Sequence, residues 1–99
     1  MARYDFYRNA GSGGYLLDVQ SDLLEHLDTK IVVPLLPPNM APLPARRLNP
    51  IFRIDGEDHV MVTQFMSALT GSELRAAEGN LAKHHDDIVA ALDMLFQGF

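Results

Sequence analysis

The hydrophobic pattern of the chain changes its period once, near residue 70, and this change limits the fold more than any other feature. Before it, apolar residues come in short runs that are separated by Gly, Pro and Asp residues, as in β-strands joined by turns. After it, apolar residues return at the spacing of one helical face: Leu81, Ile88, Leu92, Leu95 and Phe96. We therefore expect a mainly β fold with one C-terminal α-helix.

The same pattern places five strands and the ends of the helix. The predicted strands are Arg3–Tyr7, Tyr15–Val19, Lys30–Leu35, Ile51–Ile54 and His59–Gln64. The third is β-branched and nearly continuously apolar, which is typical of a central strand buried on both faces. Asp55–Asp58 is the predicted tip of a hairpin, and the proline-rich Pro37–Pro44 is a predicted loop. Asn80 and Gly98 are predicted to begin and end the helix, and Ser72 to cap a short turn.

The length and composition predict a single domain, residues 1–99, because a chain of 99 residues forms only one hydrophobic core. The chain has no cysteine, which excludes disulfides, Cys-based zinc sites and thiol nucleophiles. No apolar run approaches the ~20 residues that a membrane span needs, and the N-terminus lacks the apolar run of a signal peptide. We therefore expect a cytoplasmic protein without membrane contact.

The charge of the chain argues against binding to nucleic acid. The net charge is −5, and the acidic excess lies in the second half, where residues 54–99 carry two basic and eight acidic side chains. A protein that holds nucleic acid by its phosphates normally shows a basic stripe. Arg46, Arg47 and Arg53 are the only local basic concentration. We expect no direct nucleic-acid binding by the chain alone.

The residue types that carry catalysis do not form a recognisable constellation. His84 and His85 are adjacent, so on a helix their side chains point about 100° apart and cannot chelate one ion together. His84 and Asp87 have a suitable spacing, but a closed metal site needs further ligands. Gly11–Gly14 is glycine-rich without the Lys-Ser/Thr ending of a phosphate-binding loop. The sequence predicts no enzyme, no metal and no cofactor.

The C-terminal segment Met94–Phe99 is unusually apolar for a chain end. Chain ends are normally polar and frayed unless they are held by packing. Two explanations compete. Phe96 and Phe99 pack into the chain's own core or into a homodimer, or they are presented to another protein as an anchor. The physical pattern alone favours the first explanation.

Four segments, in the same order and spacing, make the chain resemble the CcdB toxins of bacterial toxin–antitoxin modules. They are LDVQSDLL at Leu17–Leu24, IVVPL at Ile31–Leu35, the hairpin from Asn49 to Thr63, and DDIVAALDMLFQGF at Asp86–Phe99. The resemblance covers essentially the whole chain. It implies an SH3-like small barrel of the CcdB/MazF type, built from antiparallel sheets with one long C-terminal helix.

The resemblance also implies how such a toxin acts. CcdB toxins are homodimers that insert their paired C-termini into the A subunit of DNA gyrase and trap the enzyme with cleaved DNA, so the toxin itself catalyses no reaction. The positions that match gyrase-binding residues of the family are Leu23, Leu24, Asp93, Phe96, Gln97, Gly98 and Phe99. The expected dimer interface consists of Leu92, Leu95 and Phe96.

A second implied partner is a neutralising, CcdA-like antitoxin that is disordered until it wraps the toxin dimer. The family's modules act in plasmid maintenance and repress transcription of their own operon, with the DNA-binding part in the antitoxin. The expected antitoxin contacts lie near the Asn9–Gly14 and Pro37–Pro44 loops, at Arg8, Asn9, Gly14, Arg46 and Arg47.

Three positions of the tip depart from the best-known toxin. Asp93 replaces an Asn, Phe99 replaces an Ile, and Gln97 replaces a Trp that stacks on an arginine of gyrase. Glutamine has no ring to stack. Two alternatives to gyrase poisoning therefore stay open: a weakened relative that only dimerises and binds its antitoxin, and an endoribonuclease toxin of the same fold.

Overall fold

A computed structural model describes residues 2–10 and 13–99 of the chain. The strands and the helix are β1 Asp5–Arg8, β2 Tyr15–Asp18, β3 Thr29–Leu36, β4 Ile51–Ile54, β5 Glu57–Met61, β6 Ser67–Thr70, β7 Gly79–Asn80 and α1 His85–Gln97. Short 3₁₀ helices occupy 22–24, 63–65, 71–73 and 82–84. Gly11 and Ser12, part of the turn expected between the first two strands, lie outside the described residues.

The seven strands form one antiparallel sheet. Six of them follow the order β4-β5-β3-β2-β1-β7, and β6 pairs with β3 outside this order. β3 is the centre, because β2 pairs with one of its edges while β5 and β6 pair with different parts of the other. The expectation of a mainly β, SH3-like small barrel with one C-terminal helix is confirmed.

β3 is buried on both faces, as its sequence predicts. Val32, Val33 and Leu35 have no exposed surface. Because successive side chains of a strand point to opposite faces, Val33 and Leu35 reach the hydrophobic core while Val32 faces the other side of the sheet.

The core lies between the sheet and α1. It is formed chiefly by Phe6, Leu17, Val33, Leu35, Phe52, Met61, Ile88 and Ala91. Ile88 and Ala91 are one helical turn apart and fully buried, so α1 is held by the first two-thirds of its length. The end of the helix is therefore left for other contacts.

Several predicted boundaries were wrong. The helix begins at His85 instead of after Asn80, because Leu81 donates its N–H to the Tyr4 carbonyl and a 3₁₀ helix follows. The predicted N-cap Asn80 caps neither helix: its side chain accepts the Ala82 N–H at 2.7 Å in the turn before the 3₁₀ helix, whose N-cap residue is Leu81. The strand predicted to reach Gln64 ends at Met61, where the chain turns into the 3₁₀ helix at 63–65.

Other local differences have equally local causes. The turn at 71–73 is capped by Thr70 and Glu73 rather than by Ser72. The first strand begins at Asp5 instead of Arg3, since Tyr4 has a φ of +74° and interrupts extended backbone. β6 and β7 were not predicted as separate strands. None of the helices within 2–10 and 13–99 has the length and apolar character that a bilayer crossing requires.

Candidate functional site at the end of the C-terminal helix

Two phenylalanine side chains project outward at the C-terminal tip, one from the last turn of α1 and one just after the helix. Phe96 and Phe99 are each 69% exposed, and neither belongs to the core. Packing of these rings into the chain's own core, one of the two expectations from the sequence, is wrong. The remaining alternatives are contact with a second copy or with another protein.

Gly98 gives the tip a defined direction. Its φ of +81° lies in the left-handed region, and its N–H donates to the carbonyls of Asp93 and Met94 at 3.2 and 3.1 Å. This closes the helix as a glycine C-cap does, which confirms the predicted helix end. The chain therefore leaves the helix at a fixed angle immediately before Phe99.

The two polar residues of the tip bind each other. The Gln97 side-chain amide donates to the Asp93 carboxylate at 3.2 Å, one helical turn away. Both are positions that the family resemblance assigns to gyrase contact. In the unbound protein, a partner that needs either group must first break this exposed hydrogen bond.

The expected dimer residues divide between the core and the surface. Leu92 packs against the core and is half-buried, Leu95 is half-buried, and Phe96 is exposed. An apolar strip of this kind leaves surface in water that a second copy of α1 would cover. The dimer itself stays a prediction.

Leu23 and Leu24 lie at a second surface, on the 3₁₀ helix at 22–24. Leu23 is 87% exposed and Leu24 43% exposed. The Ser21 hydroxyl accepts the Leu23 N–H, and the Asp22 carboxylate accepts the Arg3 N–H, so the segment is held rigidly despite its exposure. Among the described residues, the segments whose backbone lies closest to α1 are the 3₁₀ helices at 63–65 and 82–84, and the segment that carries Leu23 and Leu24 is not one of them.

The expected antitoxin residues fall on two neighbouring loops. Arg8 ends β1, and the Asn9 N–H donates to the Gly14 carbonyl at 3.1 Å at the base of the β1–β2 turn. This turn lies next to the proline-rich loop. The Met40 sulfur of that loop would be 3.5 Å from a Cβ atom placed on Gly13.

The two arginines expected to contact the antitoxin lie beyond the proline-rich loop. Arg46 and Arg47 are exposed, and Arg47 has a φ of +67°. The turn that carries them is closed by Asn49, whose side chain accepts the Ala45 N–H while its N–H donates to the Ala45 carbonyl. The structure thus holds these charges out from the surface on a fixed turn.

Three of the four histidines have structural partners. His84 packs against Phe52 with 4.7 Å between ring centres and the rings tilted by 40°. His85 shares a 2.6 Å hydrogen bond with the Tyr4 hydroxyl, and His59 packs edge-on against Tyr15. No group of three or more His, Cys, Asp or Glu residues within 2–10 and 13–99 is arranged to hold a metal ion.

Sequence reasoning missed an open cleft beside Leu24. Its walls are residues 25–28 and 70–72, and the buried Lys30 lines it. The signal in the sequence was a lysine at the start of an otherwise apolar central strand, which we interpreted only as part of β3.

Comparison with known proteins agrees with this fold. The family model described as "CcdB protein" matches residues 3–98. A solved structure described as "Endoribonuclease in complex with its cognate antitoxin from Mycobacterial species" superposes with a TM-score of 0.77 at 18% sequence identity, covering 97% of this chain and 94% of that chain. At that identity the similarity establishes the fold only. No curated protein matches the sequence significantly. Because the family model covers nearly the whole chain, the protein belongs to the CcdB family of toxins from toxin–antitoxin modules.

Proposed function

We propose that this toxin acts as a homodimer in the cytoplasm, binds the A subunit of DNA gyrase through the end of α1, and traps the gyrase–DNA complex in its cleaved state. The observation that carries the proposal is the exposure of Phe96 and Phe99 on a rigidly capped helix end. Family membership supports the same target, because CcdB toxins are gyrase poisons of this kind.

Burial of the two phenylalanine rings at the tip would supply enough free energy to anchor the toxin to a partner protein. Full burial of one phenylalanine side chain contributes about 1.5–3 kcal/mol, and a twofold dimer would present four such rings. Large aromatic side chains at the centre of an interface commonly dominate its affinity. The C-cap at Gly98 adds preorganisation, since the chain loses little conformational freedom when the tip docks.

Purified gyrase tests the proposal directly. The wild-type protein is expected to inhibit supercoiling and to accumulate cleaved DNA that is covalently attached to gyrase. Absence of both effects at high protein concentration would refute gyrase poisoning, and tight antitoxin binding without growth arrest on expression would then identify a non-poisoning relative.

Gln97→Trp is expected to strengthen gyrase inhibition. In the best-known toxin a Trp at this position stacks on an arginine of gyrase, and a cation–π contact contributes about 0.5–2 kcal/mol. The concentration that inhibits gyrase in the supercoiling assay should therefore decrease by a factor of between a few and about thirty.

Gln97→Leu is the matched control for this variant. It also removes the hydrogen bond between Gln97 and Asp93 and adds apolar surface, but it has no aromatic face. Equal improvement by Leu and Trp would show that the gain comes from releasing Asp93 or from added apolar area. No gain with Trp would mean that the tip meets gyrase in a different orientation.

An antitoxin of the CcdA type is the second proposed partner. The structural neighbour is a toxin-fold protein in complex with its antitoxin, which supports this assignment by analogy. The exposed arginines Arg46 and Arg47 suit an acidic segment, and the loops around Gly14 and Met40 form a continuous surface for it. Binding to a short acidic protein encoded beside the toxin, measured by calorimetry, tests this.

Endoribonuclease activity is the competing function, because the structural neighbour is described as an endoribonuclease. Arg53, one of the three arginines of the local basic concentration, is the basic residue that such a site would use. Its guanidinium donates to the Gly56 carbonyl at 2.9 Å and lies 3.5 Å from the Asp58 carboxylate, so it is engaged within its own hairpin. Incubation with RNA is expected to give no cleavage; cleavage that Arg53→Ala abolishes would reverse the assignment.

A further inference from the structure

The cleft between residues 25–28 and 70–72 is a formed part of the fold. Its volume is about 590 Å³, which suits a small molecule or a few peptide residues. The two walls are joined by a hydrogen bond from the Gly71 N–H to the Asp28 carbonyl at 2.8 Å, and by the pairing of β3 with β6. Its shape is therefore set without a ligand.

Lys30 is a largely buried lysine that lines this cleft. Only 5% of its surface is exposed, and among the described residues no acceptor or carboxylate lies within bonding distance of its ammonium group. Within the part of the chain that the structure describes, the Lys30 ammonium is not one of the fully enclosed side-chain atoms without a partner, so it keeps contact with solvent, and Lys30 lines the cleft. An ammonium without a protein partner keeps its donors available for an anion bound in the cleft.

The nearby buried carboxylate of Asp18 does not neutralise Lys30 by contact. Burial raises the pKa of Asp18, while the backbone N–H of Gln20 and the charge of Lys30 lower it. The Asp18 carboxylate accepts the Gln20 N–H at 2.9 Å and forms no ion pair with Lys30. Lys30 thus acts on Asp18 only at a distance and retains its hydrogen-bonding capacity.

The rest of the lining restricts the kind of anion. The hydroxyls of Thr70 and Ser72 lie 3.2 Å from each other on the wall that faces residues 25–28. Glu25 and Asp28 add two carboxylates to the other wall, and these would repel a polyanion such as RNA. A ligand with one oxyanion and a neighbouring cationic group satisfies both kinds of lining.

We propose that this cleft binds an oxyanion, carboxylate or phosphate, of a small ligand or peptide segment that also carries a positive charge. Lys30 donates to the oxyanion, and Glu25 and Asp28 receive the cationic group. The site lies outside the end of α1 and does not rest on gyrase as the target.

The two lysines of the chain, Lys30 and Lys83, make the test internally controlled. Lysine side chains labelled with ¹³C are followed by NMR during titration with acetyl-Lys-Asp-amide, acetyl-Lys-Asn-amide and inorganic phosphate. The Lys30 signal should shift saturably with the Lys-Asp peptide and not with the Lys-Asn peptide, while Lys83 stays still. Stronger binding of inorganic phosphate than of the Lys-Asp peptide would overturn the assignment of a ligand with a cationic group, because phosphate carries none.

Variants separate the two charges. Lys30→Met should weaken binding of the Lys-Asp peptide at least about tenfold, as expected for loss of a charge-assisted hydrogen bond, whereas Lys30→Arg should retain most of it. Glu25→Gln should weaken the peptide but not phosphate, and Lys83→Met should change neither. Thermal unfolding establishes that each variant is folded. Unchanged binding by Lys30→Met, or no Lys30 shift with any probe at millimolar concentration, overturns the proposal.

Discussion

Removal of Gly98 and Phe99 is expected to abolish gyrase binding and to leave the fold intact. Phe99 is 69% exposed and has no place in the core, so its loss removes contacts with a partner rather than contacts within the chain. Only the C-cap bonds from Gly98 to Asp93 and Met94 are lost from the folded protein. We expect a destabilisation of about 1 kcal/mol, or a fall in Tm of about 4–8 °C. Surface plasmon resonance with the gyrase A subunit measures the binding.

Two further variants make this result decisive. Phe99→Ala keeps the Gly98 cap and should still lose most of the affinity. Leu43→Ala removes an apolar side chain that is 91% exposed on the proline-rich loop, and it should leave gyrase binding unchanged. A drop in Tm far above the expected range on deletion would mean that the end of the chain stabilises the fold, and undiminished binding by both tip variants would place the anchor elsewhere.

Gly14→Ala is expected to destabilise the protein by about 2–5 kcal/mol. Gly14 has a φ of +72°, which costs an L-residue about 1–2 kcal/mol, and a Cβ atom there would collide with the Leu35 carbonyl oxygen of the neighbouring strand. Relieving such an overlap typically costs another 1–3 kcal/mol or so. Since small domains have about 5–15 kcal/mol in total, urea unfolding should show a much lower midpoint.

Gly56→Ala separates the two contributions. Gly56 has a φ of +78° at the tip of the β4–β5 hairpin, but nothing lies within 4 Å of the added Cβ. It should therefore show the backbone cost alone. Equal destabilisation by the two variants would mean that β3 can shift away from the added Cβ atom of Gly14→Ala at little free-energy cost. The pair also bears on the antitoxin surface, because weaker antitoxin binding by Gly14→Ala would reflect displaced backbone and not a lost side-chain contact.

Much of the scaffold could be predicted because its signals are local. The positions of β2, β3 and β4 follow from apolar runs between turn residues, and the Asp55-Gly56 hairpin follows from a dipeptide that accepts positive φ at both positions. Elements whose stability comes from distant partners escaped prediction. β6 is largely exposed and is defined by its pairing with β3, and the two-residue β7 exists because it pairs with β1.

The candidate site divides in the same way. The sequence by itself determined that the chain ends in an apolar helix tip closed by glycine, because helical periodicity and the αL preference of Gly98 depend only on residues near each other. Only the tertiary structure decided that Phe96 and Phe99 point away from the core and that Lys30 opens into a cleft. The exposure of a side chain depends on which distant segments of the chain pack over it. The hydrophobic periodicity of a single element does not contain that information.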